Sequence, residues 1–282
     1  MKRSSPVAFA LLALAALPTL WVLWFLISGA LAPEDEILAL YGPVLTEAEG
    51  TARWTLLPSW PTLRPVVRLL LDTPEFFAMF WNSCEQSFPQ AAGQILVGAP
   101  AAWALSRLRF PGRKFLFAVY MALMVLPFQV TMVAHYIVLS RLSLIDTVWA
   151  VILPGVFSTF PVFIMKKGFD AVPHALLESA ALDGAGHACI FFRIGLPLGV
   201  PGILSAFVLG FLEAWNAIEQ PMVFLESARL RPLSLYLTDI SAADAGLALA
   251  ASLLMLAPAM LIFLFGQKYL ELGIQASGLK DV

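Results

Sequence analysis

Long charge-free stretches alternate with short polar ones along this chain, and six of them could each form one helix across a bilayer: residues 4–33, 86–106, 115–140, 147–165, 194–212 and 245–267. About 20 residues with few charges cover a hydrocarbon core, and only helices or closed barrels satisfy their own backbone there. The pattern predicts an all-α membrane protein with six transmembrane helices. Lys2 and Arg3 precede the first stretch, and Ala30-Leu31-Ala32 imitates a signal-peptide cleavage site. The apolar run Pro6–Leu31 is longer than the ~7–15 residues of such a peptide, so an uncleaved anchor is expected. Residues 1–82 then read as one span plus a loop, and 83–282 as the main transmembrane domain. Glu34-Asp35-Glu36 and the proline-punctuated LLPSWPTLRP read as loop with one short interfacial helix.

Loop Lys and Arg set the orientation. With the N-terminus inside, eleven fall on the cytoplasmic side (Lys2, Arg3, Arg107, Arg109, Arg113, Lys114, Lys166, Lys167, Arg193, Lys268, Lys280) and six outside (Arg53, Arg64, Arg68, Arg141, Arg229, Arg231). This predicts N-in and C-in and puts residues 168–193 in the cytoplasm.

That cytoplasmic segment has its own pattern. Pro173 suits a first helical turn, and Leu177, Ala180, Ala181 and Gly184 recur at i, i+3, i+4 and i+7, flanked by Glu178 and Asp183. Gly184-Ala185-Gly186 ends the helix, and HACIFFRIGLP is expected to turn the chain back into the fifth span, with Pro197 at its entrance. A helix lying on lipid headgroups shows Lys or Arg against bulky apolar residues. Acids and alanines point instead to docking against another protein.

Composition narrows the reading further. AVILMFWYC residues make up 60% of the chain and charged residues 13%, against roughly 25% in soluble domains. The net charge of −2 gives no basic field for nucleic acid. Cys84 and Cys189 fall on opposite faces of the predicted membrane, and His135, His174 and His187 are scattered, so neither a disulfide framework nor a metal site is expected. No G-x-x-x-x-G-K-[ST] occurs, so the chain does not hydrolyse ATP by that route.

Polar residues inside spans usually face a bundle interior or a wet path. Gln86, Gln90 and Gln94 recur at i+4 in the second span, either lining a path for hydroxylated solutes or gluing helices at about 0.6 kcal/mol per contact. Pro127 should bend the third span, leaving Gln129 to serve the broken backbone or a substrate. At the outer end of the fifth span Glu213, Trp215 and Asn216 offer a carboxyl, a stacking face and an amide, although a tryptophan there can also be an interface anchor.

The spacing E-x-A-x-x-x-G, nine residues, I-x-L-P is realised as Glu178, Ala180, Gly184, Ile194, Leu196 and Pro197, within a loop spanning 170–197. It resembles the EAA loop of the permease subunits of bacterial ABC importers; Ser179 stands where that motif usually has alanine. LSRLRFPGRK, SRLSLIDT, AWN and the tail QKYLELGIQASGLKD are similar to the carbohydrate-uptake branch, the class of maltose and glycerol-phosphate importers. The resemblance covers the chain from about Pro61 onward. It implies a type I ABC importer fold in which residues 178–184 (Glu178, Ser179, Ala180, Ala181, Leu182, Asp183, Gly184) form a coupling helix between spans four and five. It further implies a non-enzymatic subunit with no cofactor of its own, a homologous second permease, and a cytoplasmic ATPase dimer that binds ATP and Mg. An extracytoplasmic solute-binding protein would dock on loops such as Ser227–Ala245, and the tail Tyr269–Lys280 would approach the ATPases. An importer of another small solute (amino acid, peptide, polyol phosphate) shares most of this pattern. A secondary transporter would want charged groups at mid-membrane, which the spans lack.

Overall fold

The computed structural model describes residues 6–45, 51–53, 55–239 and 244–278, which are helices and connecting turns with no strand among them. The helices run α1 (Pro6–Ala30), α2 (Glu34–Leu45), α3 (Arg64–Leu71), α4 (Pro74–Arg107), α5 (Arg113–Val125), α6 (Phe128–Arg141) and α7 (Val148–Val156). There follow α8 (Thr159–Asp170), α9 (His174–Leu182), α10 (His187–Ile190), α11 (Leu196–Trp215), α12 (Glu219–Phe224), α13 (Tyr236–Asp239) and α14 (Ala245–Gly278). Among the described residues four stretches are long and apolar enough to cross a membrane: Ala10–Ala30, Val148–Asp170, His187–Trp215 and Ala245–Glu271. The pair α5 and α6, bent by 103° at the residues before Phe128, makes a fifth if it is one span. The expected second span lies within α4, which has the length but is less apolar because Gln86, Ser87, Gln90 and Gln94 are buried along it.

Two compact units form. The first holds the described residues up to Ala78 together with those of Tyr236–Ala257. Much of α1 is exposed, Leu12 at 71%, as a surface meant for lipid would be. The 34–82 segment, expected to be mostly loop, instead forms α2, α3 and the start of α4. Glu34, Asp35 and Glu36 fill the first turn of α2, where acids complement the positive end of the helix dipole. Arg68 then ties α3 to Glu34 (2.6 Å) and to Asp244 (3.2 Å).

The second unit comprises Met79–Leu235 and the described residues from Pro258 onward. Its centre is the pairing of α8 with α11. A Cβ on Gly202 would stand 2.7 Å from the Gly168 Cα, so both positions must be glycine for the backbones to meet. A core of Trp103, Phe169 and Phe191 packs beside them, with ring centroids 5.3–6.3 Å apart. The turn expected at HACIFFRIGLP is absent: α10 continues through a π-helical stretch, Phe191–Gly195, directly into α11. The wider π turn leaves room for Pro197, which lacks an N–H, without breaking the helix. Among the described residues of the second unit, helices are interrupted at Leu126–Pro127, where the bend is 103°, at Phe157–Ser158, within the Val148–Asp170 stretch, and between Trp215 and Glu219.

Candidate functional site

One candidate region is the loop between α8 and α11. Helix α9 opens after Pro173 and closes at Gly184, whose φ of +84° is the left-handed conformation that favours glycine. The Gly184 N–H bonds the Ala181 carbonyl (3.1 Å) and the Ala185 N–H the Ala180 carbonyl (3.0 Å), a Schellman closure. Leu177, Ala180 and Ala185 turn inward against the Trp103 core. The small-residue face is therefore split: Ala180 is part of the anchor, whereas Glu178, Ser179, Ala181, Leu182 and Asp183 stand in the open, Leu182 being 89% exposed. Ile194, Leu196 and Pro197 lie at the π-to-α junction that leads into α11, with Leu196 packed on the same core.

The base of this loop is held by side chains that the motif does not include. Arg107, the last residue of α4, donates from Nε to the Phe169 carbonyl (3.1 Å) and from Nη2 to the carbonyls of Phe169 and Val172, the latter at 2.5 Å. Its Nη1 donates to His174 Nε2 at 2.9 Å. The last carbonyls of a helix lack intrahelical partners, and a guanidinium fork supplies them. Burial pushes the Arg107 guanidinium below its ordinary pKa, opposed by the charge of Asp170. Asp170 in turn accepts from Ser106 Oγ (2.6 Å) and Lys166 Nζ (2.8 Å). The sequence signal was partly visible: Arg107 was counted among the cytoplasmic cations and sits in the LSRLRFPGRK run, and the loop was expected to begin at residue 170.

The second region is a cavity of about 640 Å³ in the same unit, within the range of small-molecule sites. All three helix breaks open onto it, through Leu126 and Phe128, Phe157 to Thr159, and Asn216 to Ile218. Irregular backbone at membrane depth is tolerated where it is buried or lines a wet cavity, because its polar groups find partners there. Of the path candidates, Gln90, Glu213 and Asn216 line it. Glu219 lines it too, accepting from Gln129 Nε2 at 2.5 Å.

The other candidates lie elsewhere. Gln86 donates to the Leu230 carbonyl (2.8 Å), and Gln94, 2% exposed, to the Gly155 carbonyl (3.0 Å), so both stitch helices to neighbouring backbone. Trp215, expected as a stacking face, is 1% exposed, with its ring stacked on Phe211 (5.6 Å) and edge-on to Phe80 (5.8 Å). An aromatic between two others has no face left for a solute. His135, which was not among the path candidates, lines the cavity beside Phe128.

On the far side of α12, Asp146 accepts from the Glu226 N–H (2.9 Å), the Ser227 N–H (2.8 Å) and the Ser227 hydroxyl (2.5 Å). These bonds, the Ser227 hydroxyl's foremost, hold its carboxyl below the usual range. Asn82 and Ser83 bind the backbone of 229–233 to α4. The loop expected to meet a solute-binding protein is thus well fixed from Ser227 to Leu235. Residues 240–243 of it and 279–280 of the expected tail lie outside the described residues.

Residues 94–275 match the family model described as binding-protein-dependent transport system inner membrane component. An inner membrane ABC transporter permease protein of Escherichia coli (YcjP) is 29% identical over 95% of this chain and 94% of its own. The diacetylchitobiose uptake system permease protein of Streptomyces coelicolor (DasC) is 30% identical over 74% of this chain and 78% of its own. The crystal structure of a bacterial ABC transporter involved in import of the acidic polysaccharide alginate superposes with a TM-score of 0.76 at 20% identity, covering 93% of this chain and 95% of that one.

Proposed function

Because the chain belongs to the binding-protein-dependent transport system inner membrane component family, it is a multi-pass inner membrane transport subunit, and we propose that it imports a sugar or sugar derivative as half of an ATP-driven pore. In this reading six spans run with both termini inside, α4 and the bent α5–α6 pair supplying two of them. A homologous permease completes the pore, and a solute-binding protein delivers cargo to the outer loops. The sugar assignment is supported by the names of relatives such as the diacetylchitobiose permease and by the branch-specific runs in the sequence.

The observation that carries the mechanism is the state of α9. Its outer face, from Glu178 to Asp183, is a short exposed ridge with Leu182 almost fully in solvent, while its base is clamped by Arg107 and its exit passes through α10 into α11. Such a ridge is suited to seating in a cytoplasmic ATPase, which would bind ATP and Mg. With α8 and α11 packed backbone to backbone, closure of the ATPase dimer would move α9 and tilt both helices as one body.

The test is Glu178→Lys in the complete importer reconstituted in vesicles. ATP-driven uptake should be lost while the thermal stability of the purified chain shifts by no more than about 0.5 kcal/mol, since the residue is exposed. Normal uptake would remove the docking role from α9.

A further inference from the structure

The cavity at the three helix breaks is selective in its charged groups as well as its size. Its lining offers the Gln90 and Asn216 amides, the Ser158 and Thr159 hydroxyls and the carboxyls of Glu213 and Glu219. Among the described residues no Lys or Arg lines it, and the one basic side chain that does is His135, whose ring lies nearly parallel to that of Phe128. An anion entering such a space would leave its hydration shell, meet carboxyl groups and find no fixed cation to replace water. A polyhydroxylated neutral solute meets the reverse situation, because amides and carboxyls accept from its hydroxyls and amide N–H groups donate to its ring and hydroxyl oxygens. Resting on the importer reading above, we infer that this subunit's cavity is a selectivity site that passes uncharged or cationic sugars and rejects phosphorylated or carboxylated ones, with Glu213 and Glu219 as the rejecting residues.

The asymmetry between the two acids sharpens the assignment. Glu219 is held in place by Gln129, in the first turn of α6 just after the Pro127 break. Glu213 lies on the last turn of α11 and faces the cavity. One acid is fixed and the other is available to a passing solute.

Charge selectivity can be read without knowing the cargo. In the complete importer in nanodiscs, Cys84→Ser and Cys189→Ser remove both native thiols, and Asn216→Cys places a reporter on the cavity wall. Alkylthiosulfonate reagents of equal size, one bearing trimethylammonium and one sulfonate, are then compared at pH 8, each normalised to its rate with a free thiol. The cationic reagent should react about 10-fold faster than the anionic one, and Glu213→Gln with Glu219→Gln should bring the ratio near unity. An anionic reagent as fast as the cationic, a ratio unmoved by the two glutamine variants, or a reporter that reacts with neither reagent would each overturn the assignment. Reagent rates do not depend on ATP, so a failure here is separate from a failure of the Glu178→Lys transport test.

Discussion

Asp170 at the end of α8 and Glu219 at the start of α12 are both acids beside a helix terminus of the same compact unit, and their surroundings differ in kind. Asp170 accepts hydrogen bonds from Ser106 and Lys166, next to an arginine that satisfies the carbonyls closing α8. Glu219 accepts from one amide and otherwise faces an open cavity with Glu213. Charges met by several donors within 3 Å fix backbone in place; acids left facing space act on whatever enters it. In the proposed importer, the α8–α9 base would act as a mechanical joint and the cavity at the helix breaks as a filter. In an importer these are the two things a pore subunit must supply, and here both are strung on α8 and α11.

The joint should be the more costly to disturb. Arg107→Ala strips donors from the carbonyls of Phe169 and Val172 and should destabilise the purified chain by about 2–3 kcal/mol, read by thermal unfolding in detergent, with ATP-driven uptake lost alongside. If that variant unfolded like the parent, the joint would be no stiffer than the filter and the contrast would fail. Gln90→Leu addresses the other side. Its amide lines the cavity, so the concentration dependence of uptake should change several-fold while stability moves by less than about 1 kcal/mol. A stability loss without a transport effect would return Gln90 to packing, with Gln86 and Gln94.

The smallest effect belongs to a third acid. The carboxyl of Asp146 is held below its usual range by Ser227 and Glu226, so it favours the folded state above its unfolded pKa of about 3.9 and loses that advantage as pH falls through the lower, folded value. Asp146→Asn should therefore be slightly less stable than the parent at pH 6, and the gap should close as pH falls below about 4 and through the lowered, folded value. A gap that persisted at low pH would mean the carboxylate is not what pins the loop.

Much of the α8–α11 loop was legible in the order of residues, because local chemistry decides it. Pro173 before a helix and Gly184 in the left-handed region after it are conformational choices made by single residues, and α9 begins and ends at them. The tilt of that helix was not legible. The i, i+3, i+4 pattern treated Ala180 and Ala181 as one docking face, but their roles were divided by the Trp103 core, whose aromatics come from three separate helical stretches. Trp215 was misread for the same reason: an aromatic near a span end suits an interface or a ligand equally well until Phe80 and Phe211 arrive to cover it. Glu34-Asp35-Glu36 looked like loop because three acids are polar, yet at a helix start they are favourable.

The chain's own order of residues determined that it is helical, that it belongs in a membrane and that one exposed, acid-and-alanine helix interrupts the apolar spans; these follow from hydrophobic run length and from single prolines and glycines, which act within a few residues. Only the folded arrangement decided which polar residues hold the protein together and which face a cavity. Gln86, Gln90 and Gln94 share one chemistry and one spacing, and what separates them is what is brought up from far along the sequence: a carbonyl of Leu230 or Gly155 for Gln86 and Gln94, the rim of the cavity for the largely buried Gln90.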